Sequence, residues 1–133
     1  MQVKELMSSS VTYVTWNTPI DEISILMRSE NIGIVPVCDV QNHLLGVITD
    51  RDIIIRNEQG QIAEEIMTED VITVDSNEDI HQAALKFSKY GIHRLPVIEN
   101  SKLVGMLSLK DLAKKKVLTA EIGHIIYNIY NHK

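Results

Sequence analysis

Between residues 19 and 30 the apolar positions Ile20, Ile23 and Met27 recur at the spacing of one helix face. Ile80, Ala83, Ala84 and Phe87 draw the same stripe further along the chain. The pattern predicts helices over Pro19–Glu30 and Asn77–Tyr90. Pro19 suits a first helical turn, and Thr18 or Asn17 is placed to cap it. Each helix is followed by two apolar runs, Ile34–Cys38 with Leu44–Ile48 and Arg94–Ile98 with Leu103–Leu107. The polar stretches DVQNH and ENSK join them, which is the signature of hairpins. Pro36 and Pro96 fall inside the first strand of each hairpin, where a missing N–H suits an edge. Further helices are expected from Thr49 and from Ser108. A short helical lead-in (VKELM, IAEEIM) and a brief extended piece (VTYV, VITV) precede each first helix. The unit is β-α-β-β-α, present twice. A last stripe, Ile122, Ile125, Ile126, Ile129 and Tyr130, predicts a C-terminal helix that either docks on its own domain or contributes to a homodimer.

The two patterns are an internal repeat. Met7/Met67, Val11/Val71, Val14/Val74, Ile20/Ile80, Ile32/Ile92, Pro36/Pro96 and Val37/Val97 are spaced 60 apart. After the hairpin turn, Leu44/Leu103, Gly46/Gly105 and Asp52/Asp111 are spaced 59 apart. There are 12 identities in 53 aligned positions, where ordinary composition gives roughly 3–4 by chance. The connector NEQGQI (57–62) is too short to separate independent domains. A repeat of this size buries little alone, so the two are expected to pack face to face. The fold class read here is α+β (mixed α/β). Residues 1–60 form repeat one with the connector, 61–117 repeat two and 118–133 the C-terminal helix, together one compact unit.

Composition narrows the function. Thirteen Lys/Arg against eighteen Asp/Glu give a net charge of −5, so no global field attracts nucleic acid, and no basic recognition helix is present. Apolar runs fall far short of the ~20 residues of a membrane span, and MQVKELM does not read as a signal peptide. One cysteine, Cys38, excludes an internal disulfide framework, and a reducing cytoplasm is the simplest compartment. Cys38 reads as packing rather than nucleophile. The five histidines (His43, His81, His93, His124, His132) show no metal-ligand spacing, and no nucleophile–base pair or phosphate-loop motif stands out. Lys114–Lys116 read as a solvated helix end. Tyr13 and Trp16 either cover a core edge or stack on a base.

The chemistry lies in two segments, Gly46-Val47-Ile48-Thr49-Asp50-Arg51-Asp52 and Gly105-Met106-Leu107-Ser108-Leu109-Lys110-Asp111. Each reads as glycine, two apolar residues, a hydroxyl residue, two variable residues and aspartate. A strand ends, and its hydroxyl residue caps the next helix. Free N–H groups at that helix start favour an anion, and the aspartate can accept two hydrogen bonds from a vicinal diol such as a ribose. The small glycine is expected to let a flat group approach the strand. The same Thr/Ser-x-x-Asp pattern is also a near relative of the capping box, and the two roles are compatible.

These motifs, with the LMS and IMT lead-ins and the IVPV and RLPV strands, resemble a stand-alone tandem pair of cystathionine β-synthase (CBS) domains, a Bateman module, over residues 3–116. The resemblance implies two clefts related by pseudo-two-fold symmetry that take adenosine-containing ligands such as AMP, ADP, ATP or S-adenosylmethionine. It implies Asp52 with Thr49 on one ribose and Asp111 with Ser108 on the other. It also implies apolar walls shared across the repeats, Met106 with Thr12, Ile32 and Gly33 beside Asp111, and Val47 with Ile72, Ile92 and His93 beside Asp52. His93-Arg94 occupies the place of a phosphate-binding basic pair, whereas repeat one has Gly33-Ile34 there. Arg51 and Lys110 are further phosphate candidates, and the Asp111 cleft is expected to bind phosphate better.

The expected function is a non-catalytic regulatory module with an adenine nucleotide as regulatory ligand and no cofactor required. Its expected partners are a second copy and an unknown protein effector, with no nucleic acid and no membrane. The alternative is a structural homodimerisation or interaction module whose clefts do not function.

Overall fold

The computed structural model describes residues 1–56, 60–114 and 119–131. Lys115, Lys116, His132 and the Asn57–Gln59 part of the connector lie outside the described residues. In chain order a 3-10 helix Val3–Glu5 leads to β1 (Val14–Thr15), α1 (Ile20–Glu30), β2 (Ile34–Cys38), β3 (Leu44–Thr49) and α2 (Asp50–Arg56). The order then repeats with α3 (Ala63–Ile66), β4 (Val74–Asp75), α4 (Ile80–Tyr90), β5 (Arg94–Glu99), β6 (Lys102–Ser108) and α5 (Leu109–Ala113), and α6 (Thr119–Tyr130) closes the chain. The duplicated β-α-β-β-α reading and the C-terminal helix are both present.

Two three-stranded sheets form, in the orders β1-β2-β3 and β4-β5-β6. The strand carrying Pro36 is therefore central rather than at an edge. β1 supplies only Val14 and Thr15, which pair in parallel with Val37 and Cys38 and stop short of Pro36. Pro36 thus needs no donor on that side, and Pro96 is treated alike because β4 begins pairing at Val97. The turns that close the hairpins take left-handed backbone at Asn42 and at Asn100-Ser101, residues that tolerate it.

The compact units do not follow the repeats. The first comprises Met1–Val11, Ile72–Asn100 and Val104–Lys133; the second comprises Thr12–Val71 with Ser101–Leu103. Each lead-in packs with the body of the other repeat. In the first unit Ile80 N–H donates to Met1 O and Val3 N–H to Glu78 O, both at 2.9 Å. In the second unit Ile20 N–H donates to Gln61 O at 3.0 Å and Ala63 N–H to Thr18 O at 2.9 Å, the same bonds shifted by one repeat. Glu5 and Glu65 reach back to the N–H of Gln2 (2.6 Å) and Ile62 (3.1 Å), fixing each lead-in turn.

The first unit's core gathers Val3, Ile80, Phe87, Leu95, Leu107, Leu112 and Ile125. The second gathers Ile20, Ile23, Met27, Val35, Ile48 and Ile66. The α1 and α4 stripes read from the sequence are thus buried faces, whereas Ile126 and Tyr130 of the expected α6 stripe are exposed. Helix α1 starts differently from expectation: Pro19 is its N-cap and no side chain caps it. Thr18 Oγ1 instead accepts the Thr15 N–H at 3.2 Å, within the preceding turn. Helix α4 is capped by Asp79, which accepts from His81 and Gln82. Helix α6 packs on α4 and α5, with Ile125 2% exposed, so it docks on its own domain.

Candidate functional site

Both Gly-x-x-hydroxyl-x-x-Asp segments form the strand-to-helix corner they predict. In the second unit Thr49 ends β3, and its N–H and hydroxyl donate to Asp52 Oδ2 at 3.0 and 3.1 Å. Asp52 N–H returns a bond to Thr49 Oγ1 at 3.2 Å. The Thr68 hydroxyl stands 3.3 Å from both carboxylate oxygens. Asp52 is only 8% exposed and is held by three donors.

In the first unit Ser108 N–H donates to Asp111 Oδ2 at 2.9 Å and Asp111 N–H to Ser108 Oγ at 3.1 Å. Here, among the described residues, Oδ1 meets only the Lys114 ammonium, at 3.8 Å, and the Asp111 side chain keeps 13% exposure. Ser8 stands where Thr68 stands in the other unit, but it meets Met106 through its backbone. The two corners are therefore unequal. Both oxygens of Asp52 meet the Thr68 hydroxyl, whereas among the described residues Asp111 Oδ1 meets no hydroxyl and retains acceptor capacity.

Two sequence-derived expectations change. The helix amides are not free: Asp50 N–H donates to Gly33 O at 3.0 Å, Arg51 N–H to Asp50 Oδ1 at 2.8 Å, and Asp52 N–H to Thr49. Leu109 N–H likewise donates to His93 O at 3.1 Å. With α2 and α5 only seven and five residues long, neither end makes an anion site by itself. The glycines do not leave room for a flat ligand either. A Cβ on Gly46 would sit 2.6 Å from Thr68 O, and one on Gly105 would strike Met7 Sδ and come within 2.9 Å of Ser8 O. The space is filled by the exchanged lead-ins, whose backbones pair with the strands: Val47 and Thr68 exchange bonds at 2.9 and 2.8 Å, and Met106 and Ser8 at 2.9 Å each way.

Val47, Thr49, Arg51, Asp52, Thr12, Ile32 and Gly33 fold in the second unit, and Met106, Ser108, Lys110, Asp111, His93, Arg94, Ile72 and Ile92 in the first. Arg51, Lys110, His93 and Arg94 are exposed. Thr12 donates its hydroxyl to Glu30 Oε1 at 2.8 Å, while Ile32, Ile72 and Ile92 lean on their own unit's core. Thr68 and Lys114 were not among the sequence candidates. The matching hydroxyls of LMS and IMT were the one signal that pointed to Thr68.

Trp16 packs against the second core, and Tyr13 is 49% exposed. Cys38 is fully buried, and burial, with Asp39 beside it, pushes its thiol up to about 11. Among the described residues no group of three or more His, Cys, Asp or Glu is placed to hold a metal ion, and no helix is long and apolar enough to cross a membrane.

The model of the CBS domain family matches residues 3–57 and 63–117. The chain belongs to the CBS domain family. This CBS pair is 33% identical over 132 residues to the CBS domain-containing protein YhcV of Bacillus subtilis, covering 96% of this chain and 94% of the relative. It is 28% identical to hypoxic response protein 1 of Mycobacterium tuberculosis, covering 84% and 82%. Among solved structures, the CBS domain pair of protein MJ0100, in complex with 5′-methylthioadenosine and S-adenosylmethionine, is 32% identical with a TM-score of 0.74. That match covers 86% of this chain and 94% of the other. An L-aspartate semialdehyde sulfurtransferase of Methanocaldococcus jannaschii is 32% identical, but the chain spans only 22% of it. CBS domains are generally regulatory, and solved CBS relatives bind adenosine-containing small molecules.

Proposed function

We propose that this CBS pair is a non-catalytic cytoplasmic sensor of adenosine-containing ligands, of the AMP, ADP, ATP or S-adenosylmethionine class. The observation that carries the reading is the half-committed carboxylate of Asp111, which keeps an oxygen for a ribose hydroxyl while its other oxygen caps α5. The MJ0100 pair, similar over 86% of the chain, supports the ligand class. In this reading Ser108 and Asp111 hold the ribose. Met106 lines the base, and His93, Arg94 and Lys110 meet phosphate. Asp52 with Thr49, Val47 and Arg51 forms the weaker counterpart, because a ribose there must displace the Thr68 hydroxyl. The output passes to a protein effector or through a homodimer.

A thermal-shift panel of AMP, ADP, ATP, S-adenosylmethionine and NADH tests this. A ligand at 100 times its dissociation constant adds about 2.7 kcal/mol. Asp111→Ala should abolish most of the ligand-induced shift measured against its own unliganded baseline, which falls by about 1 kcal/mol for the lost cap. A variant that responds like wild type refutes the assignment. Arg94→Ala should weaken ATP more than adenosine.

The Asp52 corner, already occupied by the Thr68 hydroxyl, favours a second reading, a homodimerisation module with silent clefts. A panel with no shift for any ligand would select it.

A further inference from the structure

The duplication puts the same corner into both units and furnishes it differently. In the first unit a closed polar network holds it: Lys4 Nζ donates to Asn77 Oδ1 at 3.0 Å, and Ser76 Oγ to Glu99 Oε1 at 2.6 Å. That corner carries its own cation. By the repeat spacing, Glu64 stands in the second unit where Lys4 stands in the first, Trp16 where Ser76 stands and Asp39 where Glu99 stands. The result is an open groove of about 380 Å³ whose apolar wall is Trp16, Val40, Leu45 and Met67. The carboxylates of Asp39, Glu64 and Glu69 stand beside that wall, and every one of these residues belongs to the second unit. Glu64 N–H donates to Trp16 O at 2.9 Å, which seats the first turn of α3 against the tryptophan. Trp16 leans on the core, while Val40 is 81% exposed. Asp39 is engaged by its turn amides and the His43 ring, but among the described residues no cation pairs with Glu64 or Glu69. Nor do the carboxylates converge on one point, since among the described residues no such group is placed to hold a metal ion.

We propose that this groove docks a basic, arginine-bearing segment of a partner protein. Charge complementarity selects the occupant: three anions and no cation line an apolar groove, in a chain of net charge −5. An arginine can lay its guanidinium on the Trp16 ring, cover Met67 and Leu45 with its aliphatic stem, and donate to a glutamate carboxylate. A second basic residue on the same segment meets the other glutamate, a span that one small cation does not bridge. The proposal rests on the reading that the output passes to a protein effector, and it is independent of nucleotide binding.

The test is binding of a fluorescein-labelled peptide of alternating arginine and leucine to the full chain, read by anisotropy, with citrulline in place of arginine as the neutral control. Trp16 is the chain's one tryptophan, so its emission reports occupancy of the groove. The arginine peptide should bind saturably, shift that emission and weaken as salt rises. The double variant Glu64→Gln/Glu69→Gln should lose about tenfold in affinity, as befits two exposed ion pairs beside an aromatic ring. Val40→Lys, which adds a cation at an exposed position, should lose at least as much, and both should keep the wild-type circular dichroism. No binding, equal binding of the citrulline peptide, or variants that bind like wild type overturns the site. Argininamide binding as tightly as the peptide, or a wild-type oligomer that Val40→Lys dissociates, overturns the protein partner in favour of a small cation or a second copy. Asp111→Ala should bind the peptide as wild type does, so a failure of nucleotide sensing is read separately.

Discussion

The Asp39 carboxylate does for a hairpin turn what Asp52 and Asp111 do for two helix starts. Its Oδ1 accepts the N–H of Gln41 and of His43, both at 2.9 Å, and its Oδ2 meets the His43 ring at 3.0 Å. These bonds, led by the His43 backbone amide, lower its pKa from the ordinary 3.8. A carboxylate whose folded pKa is depressed stabilises the fold above its unfolded value and loses that contribution as pH falls through the folded one. Asp39→Ala should therefore lower the melting temperature at neutral pH, with the gap from wild type closing below pH 3.8. A gap independent of pH would deny the carboxylate its role. At this scale the candidate site was largely legible: Thr49, Asp52, Ser108 and Asp111 make the reciprocal caps their spacing predicts. The inequality between Asp52 and Asp111 was not, because it depends on Thr68, 16 residues from Asp52 in the chain.

At the scale of elements, apolar periodicity located α1 and α4 and both hairpins, since a buried stripe must repeat every three to four residues. It misjudged β2, because strand order is set by which segments pair, and β1 is too short to have a period of its own. It also misjudged the two motif glycines. Their small size is demanded by a crossing backbone, so Gly46→Ala should cost about 1–3 kcal/mol by forcing β3 away from Thr68. Urea unfolding measures this, and a neutral substitution would show that Thr68 yields freely. The outward residues of α6 belong to the same lesson. Ile126 and Ile125 are neighbours of one type, and only the packing on α4 and α5 decides which is buried.

At the scale of the whole molecule, each compact unit is completed by the other repeat's lead-in. Ser8→Pro removes the N–H that meets Met106 O at 2.9 Å. Amide exchange should then quicken at Met106 and its neighbours, while Val47 and Thr68, paired in the other unit, keep their protection. Equal loss in both would mean that the exchanged lead-ins do not act separately. The sequence by itself determined the duplication, the local element types and the capped acidic corners, because periodicity, turn chemistry and capping act over a few residues. Only the tertiary structure decided which lead-in completes which sheet, which helix amides and carboxylate oxygens are already bonded, and which face of α6 is buried. Those outcomes rest on contacts between segments distant in the chain, as Ser8 and Met106 are, and no local pattern encodes which of two similar partners a segment will choose.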